Sequence, residues 1–319
     1  MMQSTTNQST SVDVITSAFN ERECVPELFK RLNNVFNKEK SYKFRILIVD
    51  NGSTDSTWEI IQAESQKNAD VIGFRMSRNF SLDAAFTCGL DNAESDLAII
   101  MTSDLQDPPE AISELLRKYE SGADQVLARI VSRDSVPFIR RMLSTLFYKI
   151  AKHMTGGMLP ESVSDFRLVN KRTYQAIRRL RESHRFLRGI GSWVGFKTEY
   201  IEIDRPGRFG GESKWINMSL IKIIGQATRS IFAYSATPLM FISTLGVVLS
   251  FISFTGVVIS SVFWITNSVP FAGYGSIIGL VALGFSLTML SIGILAQYVG
   301  LIYEEVKQRP LYIVSERRN

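Results

Sequence analysis

Short apolar runs alternate with amphipathic stretches along the first part of the chain. Val12 to Ser17, Phe44 to Val49, Val71 to Met76 and Leu97 to Met101 are compact and rich in β-branched residues, as buried strands are. Between them, helical spacing of apolar positions predicts helices over about Pro26 to Asn37, over Trp58 to Gln66, and up to about Leu90. Another helix should begin near Pro108. Gly122 to Arg129 reads as a fifth strand, and Lys171 to Leu180 as a helix following an apolar-alternating segment. Strands alternating with helices predict an α/β fold built on a mostly parallel sheet with flanking helices.

The pattern changes beyond Arg229. No Asp, Glu, Lys or Arg occurs from Ser230 to Tyr303. Pro238 to Ile265 and Ile277 to Ile302 each exceed the roughly 20 apolar residues needed to cross a bilayer. Small residues recur in both, as helices packed in lipid require. The connector, Thr266 to Ser276, is short and uncharged. Lys222 and Arg229 precede the pair, and Lys307, Arg309, Arg317 and Arg318 follow it. Positive charge on both flanks predicts a hairpin with both ends cytoplasmic. Two basic amphipathic stretches, Pro137 to Met154 and Trp215 to Arg229, suit either a membrane surface or a packed helix with a solvated face. The net charge of +5 adds little to this picture. Cys24 and Cys88 are too few and too isolated for a disulfide framework. Met1 to Ser11 is polar, unlike a signal peptide, and is expected to be a disordered tail.

Each strand ends in polar residues. Asp104, Gln106 and Asp107 follow the fourth strand, at the edge where open α/β sheets bind ligands. Hard oxygens there suit Mg²⁺ or Mn²⁺ carrying a diphosphate, and a helix-capping turn fits them equally. Asp50 to Asp55 lacks both the Gly-x-Gly-x-x-Gly spacing and a phosphate-loop lysine. Its carboxylate could bind a base or ribose, or cap a helix. Arg129 and Arg133 could neutralise phosphate or lie on a solvated surface. Arg205 to Lys214 is glycine-rich and basic, a composition suited to a diphosphate or to a flexible linker.

Ser17-Ala18-Phe19-Asn20-Glu21, Val49-Asp50-Asn51-Gly52-Ser53-Thr54-Asp55, Arg78-Asn79-Phe80 and Ser103-Asp104-Leu105-Gln106-Asp107-Pro108-Pro109-Glu110 together resemble the nucleotide-sugar domain of family 2 inverting glycosyltransferases. Within that family the chain is similar to the polyprenyl-phosphate branch, which includes dolichol-phosphate mannose synthases and bactoprenol glucosyl transferases. The likeness runs from about Val12 to Pro310. It implies a GT-A-like catalytic domain over residues 12–214. A juxtamembrane amphipathic segment (215–229), a two-helix transmembrane region (230–303) and a basic cytosolic tail (304–319) would follow.

The resemblance also implies roles. Ser17, Phe19, Glu21, Asp50, Asp104, Arg129, Arg208, Ser213 and Lys214 would contact the nucleotide sugar, and Asp104 and Gln106 would hold Mg²⁺ or Mn²⁺. Arg133 and Arg167 would meet the acceptor phosphate. Asp165, in an Asp-x-Arg-Leu element, would lie beside the reacting sugar carbon, as a base or as an orienting group. A segment typical of glucosyl members, Phe186 to Gly195, favours UDP-glucose as donor. Polyprenyl phosphate, membrane lipids and a second copy of the chain are the expected partners, with no nucleic acid. The expected location is the bacterial inner membrane, with the catalytic domain cytosolic.

The chain departs from the family pattern at several positions. Thr102 replaces the first Asp of Asp-x-Asp, Ser17 a Pro, Phe19 a Tyr, Asn51 a second Asp, and Ile130 an Arg. The rival classes are a degenerate, non-catalytic relative that binds lipid phosphate, and a processive synthase. The chain lacks a Gln-x-x-Arg-Trp element expected of the latter.

Overall fold

The computed structural model describes residues 9–131, 163–183, 185–210, 237–265 and 274–318. Arg133, Ser213, Lys214, the stretches Pro137 to Met154 and Trp215 to Arg229, and most of the connector after Ile265 lie outside the described residues.

The chain forms two units, residues 1–223 with 309–319, and residues 224–308. The first contains an eight-stranded sheet. Its strands are β1 (Thr10–Ala18), β2 (Tyr42–Asp50), β3 (Val71–Met76), β4 (Leu97–Thr102), β5 (Gln125–Ile130), β6 (Val163–Asn170), β7 (Thr198–Ile203) and β8 (Val314–Arg318). Their spatial order is β7-β5-β6-β4-β1-β2-β3-β8. β1 pairs in parallel with β2 and β4, β2 with β3, and β5 with β7. β6 runs antiparallel between β4 and β5, and β8 antiparallel to β3. The mostly parallel expectation therefore becomes a mixed sheet.

Helices cover both faces. One face carries α1 (Cys24–Lys38), α2 (Thr57–Lys67) and α4 (Ile112–Glu120); the other carries α3 (Leu82–Asn92), α5 (Lys171–Arg179) and α6 (Leu187–Trp193). Alternating residues of one strand feed the two cores. Ile46 and Ile48 enter the first, Leu47 and Val49 the second. With both faces covered, central strands must be apolar throughout, which is why β4 is buried along its whole length.

Two elements escape the hydrophobic pattern. β7 is an edge strand carrying Glu199 and Glu202, and β8 is mostly charged. The segment read as a basic tail thus supplies the strand beside β3. Ile313 O accepts from Ser77 N, Tyr312 donates to Asp91 at 2.8 Å, and Arg75 Nη1 lies 3.4 Å from Glu316. Asp165, expected ahead of its apolar segment, lies within β6.

The second unit holds α7 (Thr237–Ile265) and α8 (Tyr274–Val306). Both contain stretches long and apolar enough to cross a membrane, by length and composition. Phe251, Val247, Leu280 and Val281 are exposed on them.

Tyr312 packs half-buried against the second core and bonds Asp91. Tyr312→Ala should destabilise the first unit by about 2 kcal/mol, through lost ring burial and one hydrogen bond. Thermal unfolding of the full chain checks this. An unchanged midpoint would show that the Tyr312 contact adds nothing to this unit.

Candidate active site

The carboxyl ends of β1 to β4 share one edge of the sheet, because the four strands run in parallel. Their exit loops are fastened to one another. Asn51 N donates to Ala18 O, Asn20 N to Ser53 Oγ at 2.9 Å, and Glu21 N to Thr57 Oγ1 at 2.9 Å. Ser103 Oγ donates to Ser17 O at 2.7 Å, joining the loop after β4 to the end of β1. Gly52 adopts φ +74°, and a Cβ there would come within 2.5 Å of the Arg78 backbone, so only glycine permits that approach.

Asn51 explains one departure from the family pattern. Its Nδ2 donates to Ser81 O at 3.0 Å, while its Oδ1 accepts from Phe80 N at 3.0 Å. Aspartate could accept but not donate, so the buried amide stitches the loop after β3 in a way that an ionised acid cannot. Asp50 is fully buried. One of its oxygens accepts from Ser53 N; the other has no hydrogen-bond partner and lies 3.6 Å from Arg75 Nε. Burial raises its pKa, with Ser53 and Arg75 opposing.

At the end of β4, Thr102 Oγ1 stands 2.8 Å from both Asp104 Oδ1 and Asp107 Oδ2. Asp107 is fully buried and also accepts from Thr102 N and from Ser164 Oγ. It is a structural tie, not an open ligand. An aspartate at 102 would crowd a second charge against it. Asp104 keeps its side chain 19% exposed and lies 3.9 Å from Arg208 Nε. Arg208 Nη2 bonds Glu21 Oε1. Burial raises the pKa of Glu21 against the pull of Arg208, and pushes the neighbouring Cys24 thiol up to about 11. Glu21, Asp104 and Arg208, predicted from distant segments, therefore converge.

Among the described residues no three His, Cys, Asp or Glu side chains gather as a metal cage. A single accessible carboxylate is compatible with Mg²⁺, which often takes one or two carboxylates, waters and substrate phosphates. Asp104 fits that donor set. Gln106 is half-buried, and its backbone N donates to Asp104 Oδ1 at 3.2 Å.

The antiparallel β6 brings a second cluster to this edge, adjacent through the bond from Ser164 to Asp107. Asp165 Oδ1 lies 3.0 Å from Arg188 Nε. Arg167, expected at a phosphate, is only 2% exposed and donates to Leu187 O and Asp165 O. Asp83 Oδ1 accepts from Leu187 N at 2.9 Å. Burial first, and Asp165 second, push Asp83 up to about 6. Asp83 carried no local signal in the sequence, and Arg188 stood in the Phe186 to Gly195 segment without an assigned role. Arg129 is exposed and stacks on Tyr200, with 4.5 Å from its guanidinium to the ring centroid. Ser17 is buried at the end of β1, and Phe19 is half-buried in the loop that follows.

This architecture is GT-A-like: a mixed α/β sheet whose carboxyl edge gathers acids and an arginine. Glucosyl-3-phosphoglycerate synthase from Mycobacterium tuberculosis shares the fold, with a TM-score of 0.50 at 14% identity over 70% of this chain and 78% of that one. The sequence profile of glycosyl transferase family 2 matches residues 13–178. An uncharacterized glycosyltransferase of Synechocystis is 33% identical, covering 96% of this chain and 95% of that protein. The prophage bactoprenol glucosyl transferase homolog of Escherichia coli is 32% identical over 95% of this chain and 98% of its own length. The bactoprenol glucosyl transferase of Shigella phage SfII is 32% identical over 96% and 97%. The chain belongs to glycosyl transferase family 2 and is a glycosyltransferase.

Two outcomes test this geometry. Asn51→Asp should cost about 1–3 kcal/mol in thermal unfolding, because Ser81 O would face an acceptor in place of a donor. A neutral effect would remove the stitching role. Asp83 binds its proton more tightly folded than unfolded. Its contribution to stability is therefore complete below the usual value of 3.8 and lost as pH rises through about 6. Asp83→Asn keeps the acceptor for Leu187 N but cannot ionise. Between about pH 4 and about pH 7, wild type should lose on the order of 3 kcal/mol relative to this variant. Parallel stability curves would show that Asp83 is not held protonated.

Proposed function

We propose that the protein moves a hexose, glucose from UDP-glucose, onto undecaprenyl or another polyprenyl phosphate at the cytoplasmic face of a bacterial inner membrane, for O-antigen or other surface-glycan modification. One observation carries this reading: a glycosyltransferase crevice and two helices apolar enough to span a bilayer occur in one chain. A lipid-borne acceptor calls for both. Relatives matched along nearly their full length are named for bactoprenol and glucose. The exposed apolar side chains of α7 and α8 would face lipid, making the protein multi-pass.

Glu21, Asp50 and the loops after β1 to β3 bind and orient the nucleotide. Ser17, Phe19, Arg129, Ser213 and Lys214 belong to the same donor contact set. Asp104 and Gln106 would hold a Mg²⁺ or Mn²⁺ ion, whose charge would offset that of the leaving diphosphate. Arg208 already stands beside Asp104 and adds a fixed positive charge where the diphosphate departs. The acceptor phosphate has a second pKa near about 6, so its dianion is ready to attack at neutral pH. Asp165 takes the proton of the monoanionic fraction or orients the attacking oxygen. In-line displacement inverts the anomeric centre. Arg133 would meet the acceptor phosphate in this scheme.

Purified protein given radiolabelled UDP-glucose and undecaprenyl phosphate should form lipid-linked glucose. Asp104→Ala should cut the rate about a hundredfold or more, and EDTA should stop the wild type. Asp165→Asn should lower turnover while UDP binding holds. Product from another nucleotide sugar alone would replace the sugar. No product with any donor would favour the non-catalytic reading, and full activity in EDTA would remove the metal.

A further inference from the structure

The acceptor phosphate needs a cation, and the arginine that the sequence offers beside Asp165 is withdrawn. Arg167 is 2% exposed. Its guanidinium donates to Leu187 O at 3.2 Å and to Asp165 O at 3.2 Å, so it fastens β6 to α6 from inside. A Cβ on Gly191 would lie 2.7 Å from Arg167 Nη1, so glycine lets α6 lie directly on this buried charge. Leu187 is clamped from both sides, its N–H donating to Asp83 and its carbonyl accepting from Arg167. The next residue, Arg188, is thereby set in place at its backbone. Its side chain is 30% exposed and its Nε is 3.0 Å from Asp165 Oδ1, on a carboxylate 17% exposed. The Phe186 ring stands 4.9 Å from its guanidinium and limits where that group can swing.

We propose that Arg188 is a binding residue for the acceptor phosphate, and that its ion pair with Asp165 is a resting arrangement which the incoming phosphate exchanges. This rests on the transfer to a polyprenyl phosphate argued above. The exchange follows from charge. A phosphate monoester carries about −1.5 to −2 near neutral pH and accepts bidentate bonds from a guanidinium. A lone carboxylate carries one negative charge. Arg188 also donates from Nη1 to Val163 O at 3.5 Å, so its head can turn to the phosphate while still held at the site.

The exchange has a chemical consequence. Without acceptor, Asp165 is engaged by Arg188 and is a poor base for water, so the bound donor is spared hydrolysis. When phosphate draws Arg188 away, Asp165 Oδ1 is released beside the nucleophile. A phosphate oxygen then bonds the anomeric carbon as the carbon–oxygen bond to the diphosphate breaks. The electron pair leaves with UDP, and any proton on the phosphate passes to Asp165. In hydrolysis, water takes the place of the phosphate and its proton goes to the same carboxylate. Asp83 is a positioning residue in this arrangement, acting through Leu187.

The test uses the full chain in detergent with three readouts: UDP binding, acceptor KM with undecaprenyl phosphate, and UDP release from UDP-glucose without acceptor. Arg188→Gln should raise acceptor KM about tenfold or more, the loss expected for a charge-assisted hydrogen bond. It should also speed acceptor-free UDP release severalfold, while UDP binding stays at the wild-type level. Arg188→Lys should recover part of the acceptor affinity. Unchanged acceptor KM in Arg188→Gln overturns the phosphate contact. A raised KM without faster UDP release overturns the masking of Asp165. Loss of UDP binding in both variants overturns the proposal by assigning Arg188 to the frame of the donor site. Failure of the wild type to use any polyprenyl phosphate strikes the proposed function itself and is read before any variant is made.

Discussion

The buried carboxylate of Asp107 joins the two halves of the crevice. It receives hydrogen bonds from the Thr102 backbone and hydroxyl at the end of β4, and from Ser164 at the start of β6. Asp104 lies between Thr102 and Asp107 in the chain, and Asp165 follows Ser164. A full charge without solvent is costly unless its oxygens are bonded, so the geometry around Asp107 tolerates little change. Burial pushes the Asp107 pKa up, with Arg205, Ser164 and Thr102 opposing. The spacing between Asp104 and the acid on β6 therefore depends on a fully buried carboxylate.

The same tie accounts for the residue that looks most degenerate. Thr102 lacks the charge that the family writes there, but its hydroxyl serves both Asp104 and Asp107. Asn51 behaves alike, its amide meeting one donor and one acceptor of the loop after β3. In both cases a neutral group with a hydrogen to give stands where local acceptors already crowd. The substitutions read as reorganised hydrogen bonding around a retained Asp104.

Much of the fold was legible because central strands must be apolar on both faces. The runs at Val71–Met76 and Leu97–Met101 coincide with β3 and β4 to within a residue. β7 and β8 were not, since an edge strand half in water obeys no such rule and β8 reads as charged tail. At the site, Asp104, Glu21 and Arg208 follow from strand ends and resemblance, and the structure brings them together. Asp83 was invisible, and Arg188 was seen only as part of the Phe186 to Gly195 segment, because their partners lie in other segments. Arg167 misled for the opposite reason: its motif identifies the residue, whereas its burial decides what it can touch.

β8 also bears on how the molecule is made. It belongs to the first unit, yet both apolar helices precede it in the chain. A ribosome therefore delivers β1 to β7 first, then the long apolar stretch, and only afterwards the strand that covers β3. Through that interval β3 presents unpaired backbone groups, the kind of edge that recruits other chains. Domains fold largely in the order they emerge. Here the order leaves the sheet unfinished until α7 and α8 have both been made. Quality control that recognises open edges would have a natural window on this protein, and a stalled or truncated product would be marked by the strand it lacks.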